Sequence, residues 1–210
     1  MPLLIIITGP SGVGKTTLCN RLLASDLQLA RVVTCTNRAL RRNELHGKHY
    51  YFLSTATFRQ KINDGEFLEH AKVYGNLYGT LLEEVVRQLR EGFDVLLSVD
   101  VQGAATVCQR ARGILALRRA VVSLFLMPPS LAALEQRLHS RGQDAKSAIR
   151  QRLNAAEQEI DFAHKCDFII PSNGIEETFE LASAIITAER FRTTRVLVSS
   201  MPETPYPNII

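Results

Sequence analysis

Residues 3–8 read LLIIIT and run straight into Gly9-Pro-Ser-Gly-Val-Gly-Lys-Thr16, after which the chain takes up helix-compatible spacing. Few folds accommodate an apolar strand, a glycine-punctuated loop, a Lys-Thr pair and a helix in that order. The loop fits G-x-x-x-x-G-K-[ST], in which bare backbone N–H groups close around phosphate oxygens while the next helix points its positive end at them. Gly9, Pro10, Ser11, Gly12, Val13, Gly14, Lys15, Thr16 and Thr17 therefore form a candidate site for nucleotide phosphates. Lys15 is expected to reach the β and γ phosphates, and Thr16 to place its hydroxyl on Mg²⁺. A glycine-rich turn with an incidental lysine is the blander alternative, and the flanking strand and helix argue against it.

The rest of the chain extends the same architecture. Strand-like runs at 31–35, 94–100, 120–127 and 167–171 are in several cases apolar throughout and not alternating, which suits a parallel sheet covered on both faces. Helical stretches fall between them at 15–24, 81–91, 103–112, 131–141 behind Ser130 and 145–165 behind Asp144. The alternation predicts one three-layer α/β domain, and 210 residues at 46% hydrophobic content suffice for its core. Two stretches interrupt it. Residues 34–80 are polar and rich in Arg and Tyr, with a short helix of their own between Ser54 and Gly65, and read as an insert beside the sheet edge. Residues 137–152 gather basic side chains around Gly142 and read as a mobile flap. The core is then 1–33, 81–136 and 153–198, and residues 199–210, with three prolines, read as a loose tail.

A nucleotide-phosphate site needs a second anionic anchor for its metal, and Asp100, at the end of the apolar run 95–99, is placed to supply it. An ordinary helix-capping aspartate is the other reading of the same residue. The excess of 25 Lys and Arg over 21 Asp and Glu suits an anionic small molecule. No aromatic-rich basic stripe accompanies it, so nucleic acid is not expected as a partner. Four scattered cysteines make neither a zinc site nor a paired framework and read as reduced thiols. With no apolar run near the ~20 residues of a membrane span, a soluble cytoplasmic protein is expected. No G-x-S-x-G elbow or H-E-x-x-H pair is present, so no covalent phospho-enzyme is expected.

The insert carries Thr34-Cys-Thr-Asn-Arg38-Ala-Leu-Arg41-Arg-Asn-Glu44, then Gly47-Lys-His-Tyr50-Tyr-Phe52, Gly65-Glu-Phe-Leu-Glu69 and Gly75-Asn-Leu-Tyr78-Gly-Thr80. With Asp100-Val-Gln-Gly103, Arg137-Leu-His-Ser-Arg141 and Arg152-Leu, these motifs follow the order seen in guanylate kinases, and the chain resembles that family over about residues 3 to 185. The resemblance implies the P-loop nucleoside monophosphate kinase fold: a parallel central sheet, an inserted monophosphate-binding subdomain at 34–80 and a lid at 137–152. It implies transfer of the γ-phosphoryl group of ATP to GMP or dGMP, giving ADP and GDP with Mg²⁺, by a monomer or homodimer.

The residue types make chemical sense of those roles. Arg38 and Arg41 can both grip one dianionic phosphate, with Tyr50 and Tyr78 as phenolic donors; the resemblance gives these four to the acceptor's phosphate. Glu69 can accept from the N1–H and 2-amino groups of guanine, and Thr34 and Thr80 offer hydroxyls to the base. The acceptor phosphate is already ionised, so charge neutralisation by Lys15, Mg²⁺ on Thr16 and Asp100, Arg137, Arg141 and Arg152 is expected to carry the catalysis. Solvated surface is the bland reading of each isolated Arg or Glu. The chain departs from the family in three places. Thr34 stands where serine is common, Ser98 where many members carry an acid near the guanine amino group, and Ala39, Leu40, Arg42 and Asn43 where the family has prolines and a glycine. Ser172 and Asn173 lie near the expected adenine contacts. A ribose bisphosphate kinase and a non-catalytic guanylate-kinase-like interaction module are the rival readings; Glu69 argues against the first, and the intact Lys15, Thr16 and Asp100 against the second.

Overall fold

The structure, a computed structural model, describes residues 1–73, 75–140 and 146–196, with the backbone alone at 146 and 147. Its centre is a five-stranded parallel sheet. Strand β1 (Leu4–Thr8) lies between β7 (Asp94–Ser98) and β8 (Val121–Met127), with β2 (Leu29–Arg31) outside β7 and β9 (Phe168–Pro171) outside β8. All five residues of β1 are buried, as its unbroken apolar run requires.

Successive side chains of a strand point to opposite faces, so β1 serves two cores at once. Ile5 and Ile7 pack with Leu18 and Leu22 of α1 (Lys15–Leu23), Leu134 of α5 (Leu131–Ser140), Ala156 of α6 (Lys146–Ile160) and Ile186 of α7 (Ile175–Arg190). Leu4 and Ile6 pack with Val85 of α3 (Leu82–Arg90) and with Ala104 and Val107 of α4 (Val101–Gly113). Each fully buried Leu or Ile contributes about 1.5–3 kcal/mol, so both faces hold the sheet firmly. Helices on both faces make the three layers.

A second, four-stranded sheet stands beside this core in the order β4-β3-β6-β5. It consists of β3 (Cys35–Thr36), β4 (Tyr51–Phe52), β5 (Phe67–Val73) and β6 (Asn76–Leu81), with α2 (Thr55–Asn63) against it. Phe58 and Phe67 stack at 4.5 Å over buried Cys35 to give it a small core of its own. Arg110 of α4 ties it to the main body by donating to the carbonyls of Phe67 and Gly65.

Some helix starts follow side-chain chemistry visible in the sequence. Ser54 Oγ accepts from Thr57 N at 3.0 Å and opens α2, and Ser130 Oγ accepts from Ala133 N at 3.1 Å ahead of α5. Several elements differ from the sequence expectation, among them β5 and β6, strands of the insert in which only a short helix was expected, and α6, which ends at Ile160. Residues 31–35, expected as one strand, are split between sheets: β2 ends at Arg31 on β7, and β3 begins at Cys35 on β6. The chain changes sheet at residues 32–34, which places Thr34 between the two. Helix α7 falls in a stretch where no element was expected. Its Phe179, Ala182, Ile185 and Ile186 have helical spacing, with Glu176 and Glu177 in the first turn and Arg190 in the last. Arg190 Nε and Leu3 N each donate at 2.7 Å to buried Asp94, fastening the end of α7 to the base of the sheet. No helix among the described residues is long and apolar enough to cross a membrane.

Candidate active site

Strand β1 ends between β7 and β8, where the strand order reverses, and open α/β sheets hold ligands outside the carboxyl ends of strands at such a point. The loop that follows turns on glycines. Gly9 has φ 137°, and a Cβ there would stand 2.6 Å from the Leu126 carbonyl oxygen, so no other residue fits without displacing β8. Gly14, at φ 112°, is the N-cap of α1 and supplies no side-chain cap, and the first turn of α1 holds no acid. The positive helix end is therefore left for an outside anion. Lys15 folds back over the loop, its Nζ donating to Gly9 O at 2.5 Å and Pro10 O at 3.1 Å.

A cavity of about 250 Å³ opens beside Gly12–Gly14, with Thr17, Arg137 and Ser172 in its wall. Arg137 donates to Val13 O at 3.1 Å, to Ser172 Oγ at 3.1 Å and to Ser172 O at 2.6 Å, while Ser172 Oγ donates to Val13 O at 2.8 Å. These bonds brace the phosphate loop against the end of β9.

A cleft of about 960 Å³ runs between the loop and the second sheet. Gly9, Ser11 and Lys15 face it from the loop, Glu159 from α6, and Thr34, Tyr50, Glu69 and Tyr78 from the insert. Ser98 and Asp100 line it at the end of β7. Glu69 follows a bulge in β5 and is only 6% exposed, with Oε1 accepting from Thr80 Oγ1 at 2.6 Å. Burial pushes its carboxyl up to about 6; the Thr80 bond opposes that shift and the charge of Asp100 adds to it. Asp100 caps α4, Oδ1 accepting from Gly103 N at 2.7 Å.

Arg38 sets both arms of its guanidinium on Glu44, each bond 2.6 Å, with the Tyr50 and Phe52 rings centred 5.2 and 5.5 Å away. The Arg38 bonds, with the Arg41 N–H, hold the Glu44 carboxyl down at about 2. Tyr50 and Tyr78 meet edge to face at 6.0 Å. An aromatic wall with a guanidinium behind it suits a phosphate monoester.

A family model described as Guanylate kinase matches residues 1–189. The chain belongs to the guanylate kinase family. It is 39% identical over 198 residues to the guanylate kinase of Nitrosomonas europaea, covering 94% of this chain and 95% of that one. To the guanylate kinase of Syntrophomonas wolfei subsp. wolfei it is 41% identical over 188 residues, covering 90% and 93%. The crystal structure of guanylate kinase from Anaplasma phagocytophilum superposes with a TM-score of 0.70 at 32% identity, covering 92% of this chain and 89% of that one. Family membership makes the chain a kinase: a nucleotide-binding transferase of a family that moves a phosphoryl group to GMP.

Of the guanylate kinase residues named from sequence, Gly9, Ser11, Lys15, Thr34, Tyr50, Glu69, Tyr78, Ser98 and Asp100 line the large cleft. Thr16 opens on a recess of about 150 Å³ that shares Thr34, Tyr50 and Ser98 with it. Thr80 is buried beside Glu69, Arg38 is engaged with Glu44 beside the Tyr50 ring, and Arg41 is exposed. Arg137 lies in the smaller cavity and not in the cleft. Arg152 is half-buried on α6. Arg141 and the 199–210 tail lie outside the described residues, as does part of the 137–152 segment. Two acids had no role from sequence. Glu44 was visible only as part of the insert pattern. Glu159 carried one signal, its place on the same helical face as Arg152 and buried Ala156.

Proposed function

We propose that this chain transfers the γ-phosphoryl group of ATP to GMP or dGMP, giving ADP and GDP for guanine nucleotide recycling and supply. One observation carries this reading: a buried carboxylate, Glu69, shares a single cleft with the phosphate-loop lysine. Guanine presents N1–H and a 2-amino group as adjacent donors, and an ionised carboxylate accepts from both. Adenine has no hydrogen at N1 and would leave one buried oxygen unpaired. A bidentate base contact of this kind is worth roughly 1–3 kcal/mol of discrimination. Thr80 steers Oε1, and the Thr34 and Ser98 hydroxyls add donors and acceptors at the rim.

Arg38, Arg41, Tyr50 and Tyr78 hold the acceptor's phosphate in this reading. Glu44 meets Arg38 with the two-pronged geometry a phosphate would use, so it keeps the guanidinium aligned with the Tyr50 face. The attacking oxygen belongs to an ionised phosphate, so no general base is required and positioning does most of the work. Lys15, Arg137, Arg141 and Arg152 supply positive charge around the donor phosphates.

Mg²⁺ fits the residues present. Thr16 and Asp100 are hard oxygen donors, and Mg²⁺ takes one or two such groups and completes its shell with phosphate and water. When bound it would neutralise charge on the donor phosphates. The insert 34–80 is the acceptor subdomain in this scheme and 137–152 the lid, and their approach over both nucleotides would exclude water.

ADP formation measured by a coupled assay with GMP, dGMP, AMP, UMP and ribose 1,5-bisphosphate as acceptors tests the proposal. GMP and dGMP are expected to be preferred. A GMP rate no better than that with AMP would remove the base assignment, and a ribose 1,5-bisphosphate preference would replace the acceptor class.

A further inference from the structure

Glu159 is the one acid on α6 that lines the large cleft, which it shares with Gly9, Ser11, Lys15 and Asp100. Its Oε2 is buried with no hydrogen-bond partner among the described residues. Burial raises its carboxyl above the usual carboxylate range, the positive charge of Lys15 opposes that shift, the charge of Asp100 adds to it, and the Ser11 N–H again favours the charged form. A half-buried carboxylate with one oxygen unpaired costs free energy. What surrounds the carboxylate is the furniture of an anion site: a loop amide and the phosphate-loop lysine.

We propose that Glu159 is a positioning residue of the donor site, an internal carboxylate that holds the rim of the phosphate loop while the loop is empty and yields to the donor's terminal phosphate. The inference rests on the reading of residues 9–16 as the ATP phosphate site. Ser11 belongs to the loop whose N–H groups close on phosphate oxygens, and Lys15 reaches toward the β and γ positions. A carboxylate on the Ser11 N–H and a terminal phosphate in the loop would bring two anions together beside Lys15, so one displaces the other. A donor that ends at its second phosphate meets this competition less. Glu159 therefore weights the site by phosphate-chain length: it lowers affinity for the triphosphate more than for the diphosphate, which keeps ATP exchangeable and leaves the loop ordered between turnovers.

The test is calorimetric, with the full chain, without Mg²⁺ so that metal contributions drop out, and with ATP, ADP and inorganic tripolyphosphate as probes. Glu159→Gln keeps the shape and an acceptor for Ser11 but removes the charge. It is expected to tighten ATP and tripolyphosphate roughly tenfold, the scale of one like-charge contact at a partly solvated site, and ADP by less than about twofold. Glu159→Asp retains the charge, should keep the ATP-to-ADP ratio within about twofold of the parent, and serves if the glutamine variant fails to fold. Equal changes for ATP and ADP in Glu159→Gln would show a merely structural residue and overturn the inference, as would weaker ATP binding. Lys15→Ala separates the two levels. If it leaves ATP and tripolyphosphate binding unchanged, the phosphate-loop reading itself falls and takes this inference with it. If it abolishes that binding while Glu159→Gln leaves the ratio unmoved, only the role of Glu159 is lost.

Discussion

Residues 9–16 and residues 34–80 each face an anion in the proposed reaction, yet they are made from different materials. The phosphate loop is a backbone device. Its geometry comes from Gly9 and Gly14 at φ values that other residues rarely adopt, from the free amino end of α1, and from a brace of carbonyl contacts through Arg137 and Ser172. The insert is a side-chain device. Arg38, Tyr50, Glu69 and the β6 pair Tyr78 and Thr80 come from different short segments, and side chains of the insert hold them: Glu44 holds Arg38, and Thr80 holds Glu69. A backbone device tolerates changes around it but few within it. A side-chain device can be retuned one residue at a time, and its parts carry their own costs.

The sharpest way to break this comparison is at Lys15, the charged side chain of the loop itself. Lys15→Ala is expected to lower kcat by about a hundredfold to a thousandfold, the usual loss of one preorganised charge at a transferring group, with the melting temperature nearly unchanged. Retained turnover would show that the loop amides suffice alone. Arg38→Lys comes next. It keeps the charge but loses the planar fork, so KM for GMP should rise by roughly tenfold to a hundredfold while KM for ATP stays put. An equal rise for ATP would mean that the two regions are not independent.

Glu69→Gln is a smaller change with two signs. One oxygen that accepts from guanine becomes a donor, so the preference for GMP over AMP should fall roughly tenfold. Unchanged selectivity would move the recognition of guanine elsewhere, Ser98 being the nearest alternative. Stability should move the other way. The folded carboxyl titrates at about 6 against an ordinary 4.5, so between those values the folded state binds more protons than the unfolded one. Stability is then lost as pH rises from 4.5 to 6, and above 6 the charged, buried group costs about 2 kcal/mol. Glu69→Gln should recover up to that amount at pH 8 and almost none at pH 4.5, as urea melts at the two pH values would show. The same titration gives the least of the expected effects: KM for GMP in the parent enzyme should rise about twofold as pH falls from 7 to 6, as half of Glu69 gains a proton. A flat profile would mean that bound GMP lowers the Glu69 pKa by little or that Glu69 does not touch the base.

The two regions were unequally legible for the same reason that they differ. A backbone device occupies eight consecutive residues, so Gly9 to Thr16 could be recognised in the chain as written. The sheet was nearly as plain, because a strand buried on both faces must be apolar throughout, as β1 is. The insert was harder. Its strands are as short as two residues, and a run of that length carries no period, which is why 31–35 read as one strand and proved to be two in different sheets. Asp100 had two sequence readings, metal anchor and helix cap; the structure shows the cap at 2.7 Å, and a carboxylate has a second oxygen with which to serve as the other.

The sequence by itself determined the three-layer α/β fold with its parallel sheet, the loop from Gly9 to Thr16 and membership of a phosphotransferase family, since each is written in contiguous residues or in the spacing of apolar ones. Only the tertiary structure decided which charges meet. It set Glu44 against Arg38 and Thr80 against Glu69, moved Arg137 into the cavity beside Ser172, and brought Glu159, more than 140 residues along the chain, to the rim of the loop near Ser11. Such pairings depend on distances across the fold and leave no mark on local propensity. The loop's presence was therefore a matter of sequence, and the company its lysine keeps a matter of folding.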